Sequence, residues 1–148
     1  MRKFAIPPKI GWYIAGFVDG EGSFIVSVRK KKDYQLGWQI DLVFNVAQRD
    51  ISNLVLLKKF LGCGRLQRRK DGVNYFIVNN YASINERVIP FFSSKKKKNF
   101  LVFTKIAKIY EEKLHLTKDG LKEIMFLREK LNEGAGRTRK YKYSDIIN

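Results

Sequence analysis

The chain is poor in the residues that most small catalytic or disulfide-stapled domains depend on. Its 148 residues include one cysteine, Cys63, and one histidine, His115. A single cysteine excludes an intramolecular disulfide and any cysteine-based zinc cluster. A single histidine argues against a multi-histidine metal site or several histidine acid/base roles in one subunit. Acids are scarce too: 14 Asp+Glu stand against 30 Lys+Arg, a formal net charge of +16. No apolar run approaches the 18 residues of a membrane-spanning helix. The N-terminus, Met1 to Pro8, lacks the apolar stretch of a signal peptide. What is present is 45 % hydrophobic and 14 % aromatic residues. That is enough for a core, and more than a disordered basic tail carries. The composition predicts one soluble, basic, folded domain, expected to be intracellular, with a polyanion as its expected partner.

The charge is unevenly placed. From Phe100 to Leu131 the chain is nearly balanced. The excess gathers at Arg29–Lys32, at Arg65 with Arg68–Lys70, at Lys95–Lys98, and at Arg137, Arg139, Lys140 and Lys142. Several separate basic clusters in so short a chain are more than solubility requires.

Periodicity sets the element order. Pro7-Pro8 opens a first helix, with Ile10, Tyr13, Ile14, Phe17 and Val18 at helical spacing, and Gly20-Glu21-Gly22 ends it. Phe24, Val26 and Val28 then alternate with polar neighbours, as do Ile40, Leu42, Phe44 and Val46 after a turn at 32–37. Together they predict a long antiparallel hairpin. Asp50 reads as the N-cap of a helix through Leu61. A second hairpin turns at Lys70-Asp71-Gly72. Ser83 to Glu86 reads as a capping box for a short helix that Pro90 interrupts. Two longer helices follow, one from about Lys97 and one around Leu121–Leu131. A basic tail over 132–148 ends in a short helix. Trp12 and Trp38 read as packing residues, and His115 as a cap at a helix C-terminus.

This order predicts an α+β domain: a four-stranded antiparallel sheet with helices on one face. Its other face, a saddle suited to a DNA groove, is expected to carry Ser27, Arg29, Lys31, Gln39, Asp41, Asn45, Gln67, Arg69 and Asn74. Long or forked polar side chains of this kind read base edges, Arg suiting guanine and Gln or Asn suiting adenine.

Ile14-Ala15-Gly16-Phe17-Val18-Asp19-Gly20-Glu21-Gly22-Ser23-Phe24 resembles the LAGLIDADG motif of homing endonucleases. The resemblance extends over about residues 10–142 and implies the αββαββα fold, with a core over about 10–131 of a single domain. It is similar to single-motif enzymes encoded in chloroplast group I introns. It implies a homodimer that cuts double-stranded DNA at a long pseudo-palindromic site. The host compartment would be an organelle or a bacterium.

The resemblance also assigns residues. Glu21, with the carbonyl of Gly20, would bind Mg²⁺ or Mn²⁺. Two Glu21 carboxylates meeting at a two-fold axis would repel unless a cation lay between them. Gln48 and Lys95 would serve beside the scissile phosphate, with Lys97 as the fallback for Lys95. Ile14, Ala15, Gly16, Val18 and Asp19 would line the dimer interface, Asp19 bracing the helix end. Tyr34, Val43 and Phe76 join the DNA-contacting set. Lys96, Lys98, Arg139 and Lys140 would position the phosphate backbone. Ser52 stands where close relatives carry an arginine, for which Arg49 is a nearby substitute. An RNA maturase assisting intron splicing and a catalytically silent DNA-binding module are the alternative readings.

Overall fold

The computed structural model describes residues 8–93, 98–131 and 140–147. The chain divides into two compact units. One comprises Met1–Ser23 with Val43–Lys96, the other Phe24–Leu42 with Lys97–Asn148. The architecture is α+β. Helix α1 (Pro8–Glu21) leads directly into strand β1 (Gly22–Lys30), followed by β2 (Trp38–Gln48), α2 (Ser52–Leu61), β3 (Arg65–Arg68) and β4 (Asn74–Val78). A helical segment comes next, in three continuous pieces: α3 (Tyr81–Ser83), a π-turn (Ile84–Val88) and α4 (Ile89–Phe92). Then come α5 (Lys98–Glu111), a 3₁₀ turn (Leu114–Leu116), α6 (Lys118–Lys130) and α7 (Tyr143–Ile147). The strands form one antiparallel four-stranded sheet in the order β1-β2-β4-β3.

In the first unit the core is built on β2, β4 and the helices over them. Phe44, Val46, Phe76 and Val78 are buried, with Leu54, Leu57 and Leu61 of α2 and Ile84, Val88, Phe91 and Phe92. Phe44 packs edge-on against Phe76 at 6.3 Å and tilted against Phe92 at 5.6 Å. Each fully buried aromatic contributes roughly 1.5–3 kcal/mol of transfer free energy. Helix α2 ends on Gly62, whose N–H still bonds the Lys58 carbonyl and whose left-handed φ of 68° turns the chain out of the helix. Gly64 is required for a second reason. A Cβ there would stand 2.6 Å from the Phe76 ring, and its φ is +85°.

Capping differs from expectation at two places. Asp50 is not the N-cap of α2. That position is Ile51, and Asp50 stands one residue earlier, its carboxylate accepting the Ser52 N–H at 2.9 Å. That bond holds the Asp50 carboxyl below its usual pKa. Likewise Ser83 does not open a helix. Asn80 does, its side chain accepting the Ser83 N–H at 2.8 Å. Pro90 does not interrupt the segment either. It lacks an N–H, and the chain widens into a π-turn just before it, with Ile89 N–H bonded to the Ile84 carbonyl.

In the second unit Phe24, Val26 and Val28 of β1 and Ile40 and Leu42 of β2 are buried. Helices α5 and α6 supply Phe100, Phe103, Ile106, Leu121, Ile124 and Met125. Phe24 packs on Phe100 and Phe103 at 5.8 and 5.1 Å. Arg128 of α6 is the exception in this apolar layer. It is 7 % exposed, and its guanidinium donates to the Val26 carbonyl at 2.7 Å and the Tyr141 carbonyl at 2.8 Å. The chain at 140–147 is thereby tied to β1.

Candidate nucleic-acid interface and helix end

Each unit leaves one face of its strands open. In the second unit Ser27, Gln39 and Asp41 are half-buried on that face, and Arg29 is exposed. Arg29 Nη2 contacts Asp41 Oδ2 at 2.7 Å, and Gln39 Nε2 reaches both Asp41 oxygens at 3.0 and 3.1 Å. Lys31 is exposed and Tyr34 half-buried in the turn that joins β1 to β2. The turn is closed by Lys31 N–H on the Gly37 carbonyl. At the foot of this hairpin Trp38 meets Tyr141 edge-on at 5.0 Å. Lys30 Nζ lies 5.7 and 5.6 Å from the two ring centroids. Lys140 is exposed, with its ammonium 5.4 Å from the Tyr141 ring.

In the first unit the open face carries Val43 and Asn45 of β2 and Gln67 of β3, as expected. Arg69, just past β3, lays its guanidinium 4.1 Å over the Tyr75 ring, a cation–π contact. Two expected members are absent from this face. Asn74 is buried, and its amide donates to the Arg49 carbonyl at 2.8 Å. Phe76 is fully buried in the core. The register explains both. Asn45 stands opposite Ile77 and Ala47 opposite Tyr75, whereas Val46 pairs with Phe76 and Gln48 with Asn74. Directly opposed residues share a face, so Tyr75 and Ile77 are open and Asn74 and Phe76 are not. Arg65 pairs with Ile77 and Gln67 with Tyr75, which places Arg65, Tyr75 and Ile77 among the open-face residues that the sequence reading missed. Gln48, half-buried, closes β2 in the phase of Val46. Arg49 donates to the Asp71 carbonyl at 3.3 Å, engaging the β3–β4 turn, and Ser52 begins α2.

Helix α1 presents two faces. Ile14 and Val18 were expected to meet a partner, but at 2 % and 4 % exposure they belong to the core of this chain. Trp12 was expected to pack and is 61 % exposed. Tyr13 is exposed as well, its hydroxyl donating to Asn53 Oδ1 at 3.0 Å. Gly16 is exposed, and a Cβ there would meet nothing within 4 Å. The open face of α1 therefore runs through Trp12, Tyr13 and Gly16. The side chains of Ala15 and Asp19 lie outside the described residues.

The helix ends at Glu21, and β1 starts at Gly22 with no loop between them. The Gly20 carbonyl belongs to the last turn, where helix carbonyls lack intrahelical partners. The Glu21 side chain, Lys95, Lys96, the fallback Lys97 and Arg139 lie outside the described residues, as does the side chain of Lys98, which opens α5. Among the described residues no group of three or more His, Cys, Asp or Glu could hold a metal ion. Glu21 and Gly20 offer only hard oxygens, one carboxylate and one carbonyl. That set suits a divalent cation that completes its shell with phosphate and water, as Mg²⁺ does.

The family model for LAGLIDADG endonucleases matches residues 14–110, from the open helix through the first helix of the C-terminal pair. The chain belongs to the LAGLIDADG endonuclease family. It is 33 % identical over 140 residues to the DNA endonuclease I-CvuI of Chlorella vulgaris, covering 88 % of this chain and 83 % of that protein. It is 31 % identical over 144 residues to a probable intron-encoded endonuclease of Neurospora crassa, covering 91 % of this chain. This LAGLIDADG chain spans only 32 % of that fungal protein's length. Among solved structures, an archaeal intron-encoded homing endonuclease complexed with DNA superposes with a TM-score of 0.84 at 30 % identity. The match covers 94 % of this chain and 92 % of that one. The meganuclease I-SmaMI bound to uncleavable DNA gives 0.79 at 34 % identity, covering 87 % of this chain and 46 % of that one. Among the described residues no helix is long and apolar enough to cross a membrane.

Proposed function

We propose that this chain is a sequence-specific homing endonuclease that hydrolyses both strands of a DNA duplex, encoded within an organellar or bacterial intron. The observation that carries this reading is the junction at Glu21. The family motif ends α1 there, and the next residue begins a strand whose open face holds Ser27, Arg29, Gln39 and Asp41. The polar side chains of β1, β2 and β3 read base edges in the groove. Lys140, Lys31 and the lysines at 95–98 hold the phosphate backbone.

Glu21 and the Gly20 carbonyl would hold a divalent cation, Mg²⁺ or Mn²⁺. Bound there, that ion lowers the pKa of a water, orients the phosphate and stabilises the leaving oxygen. Gln48 orients water at the end of β2, and Lys95 offsets charge on the phosphate. One chain carries one such helix end, and two strands require two. Residues 1–148 act as one domain that pairs through the α1 face of Trp12, Tyr13 and Gly16 with a second copy of itself.

The test is incubation with a randomised duplex library in Mg²⁺ and sequencing of the cut ends. A defined long motif at the ends is expected. Intact duplexes, together with tight binding of structured RNA, would replace this reading with the maturase.

A further inference from the structure

On the open face of the second unit, one acid occupies the donors of two base-reading side chains. Asp41 takes Nη2 of Arg29 at 2.7 Å and Nε2 of Gln39 at 3.0 and 3.1 Å. The Arg29 side chain is 63 % exposed and that of Asp41 29 %. An ion pair this exposed contributes little to stability, so packing does not account for it. Its effect is on direction. A free arginine on a chain of net charge +16 swings to the nearest phosphate of any sequence. An arginine held by a carboxylate keeps its fork over the sheet, where a guanine O6/N7 edge can take it.

We infer that Asp41 is a positioning residue for DNA specificity. It holds Arg29 and Gln39 in reading orientation and withholds Arg29 from the phosphate backbone. This rests on the proposed DNA-cutting function, and it is distinct from Asp41 reading a base itself. The carboxylate also discriminates directly against non-cognate duplexes. Any complex that draws Arg29 away leaves the Asp41 carboxylate without its cation near DNA phosphate, an unfavourable arrangement.

The experiment compares the wild-type chain with Asp41→Asn, in both the native and an Arg29→Gln background. It measures duplex binding as a function of salt and the cut-site profile from a randomised library. In the native background Asp41→Asn should tighten non-specific binding several-fold. The slope of log affinity against log salt should steepen by roughly 0.9 per bound copy, one added phosphate contact each. Preference at the base pairs read by Arg29 and Gln39 should fall by about tenfold, the lower end of a bidentate contact's discrimination. In the Arg29→Gln background the same change should leave the salt slope unmoved.

Three results overturn the inference. They are an unchanged profile and slope in Asp41→Asn, a loss of preference at one base pair with no change of slope, and a uniform loss of binding at every position. Failure of the wild-type chain to bind duplex DNA selectively would instead remove the functional reading beneath it. Thermal unfolding of each variant, with a melting temperature close to that of wild type expected for so exposed an ion pair, separates these outcomes from misfolding.

Discussion

Arg128 Nε donates to the carbonyl oxygen of Val26 at 2.7 Å, joining residues 102 positions apart in sequence. The same guanidinium holds the Tyr141 carbonyl, so one side chain on α6 secures both a sheet strand and the returning C-terminal segment. Arg128→Met keeps the stem's volume but leaves two carbonyls without this donor. It is expected to destabilise the chain by about 2 to 4 kcal/mol, one to two unsatisfied buried acceptors. Arg128→Lys should recover little, since an ammonium lacks the planar fork that spans both carbonyls. Denaturant unfolding, with Trp38 fluorescence reporting its contact with Tyr141, checks both.

Glu21→Gln is expected to retain duplex binding and lose cleavage. The amide keeps the shape of the side chain and removes the charge that would hold a divalent cation. Gel-shift affinity within about threefold of wild type, beside a loss of at least a hundredfold in cutting rate, is the expected pair of readings for a residue whose role is confined to the metal. Normal cutting by the variant would remove Glu21 from the metal site.

Gly16 offers a test of pairing that spares the fold. Its Cβ position is open within the chain, and glycine inside a helix is the weaker residue by about 0.5 to 1 kcal/mol. Gly16→Leu should therefore leave thermal stability at low concentration unchanged or raised. If α1 packs closely on a partner helix, the same change forces the two backbones apart. Light scattering should show a pair for the wild-type chain and a single copy for Gly16→Leu, with cleavage lost alongside. A paired variant would place the interface elsewhere.

His115 stacks on Tyr110 at 4.2 Å with the rings 15° from parallel, and its buried Nδ1 has no hydrogen-bond partner among the described residues. Burial lowers its pKa, opposed by a hydrogen bond with the Tyr110 backbone. A depressed folded value means the unfolded chain binds the proton more readily. The stability from neutral His115 is therefore complete above the unfolded pKa of about 6.5 and is lost as pH falls through the lower folded value. His115→Phe preserves the stack and removes the titration. Its melting temperature should fall less than that of the wild type between pH 7.5 and pH 5.

Much of the fold is legible in the sequence where the two phases of a strand differ in polarity. Phe24, Val26 and Val28 against Ser27 and Arg29, or Ile40 and Leu42 against Gln39 and Asp41, leave one choice of inner face. Strand β4 does not. Phe76 and Val78 alternate with Tyr75 and Ile77, and both phases are apolar, so only pairing with β2 decides which turns inward. A one-residue error of phase was enough to put Asn74 and Phe76 on the open face and to miss Tyr75 and Ile77. Helix α1 failed for a related reason. It is apolar around most of its circumference, so the pattern could not separate Ile14 and Val18, which face this chain's core, from Trp12 and Tyr13, which do not. The motif itself needed no periodicity, because its glycines and acid are fixed in spacing.

The exposure of Trp12 gives this chain an optical gauge. Of its two tryptophans, Trp38 is half-buried against Tyr141, while Trp12 is 61 % exposed on α1. An indole that leaves water for an apolar helix contact emits at shorter wavelength. If α1 pairs as proposed, the emission maximum of the unmodified chain, followed through a dilution series, would register the coming together of two copies without label or tag.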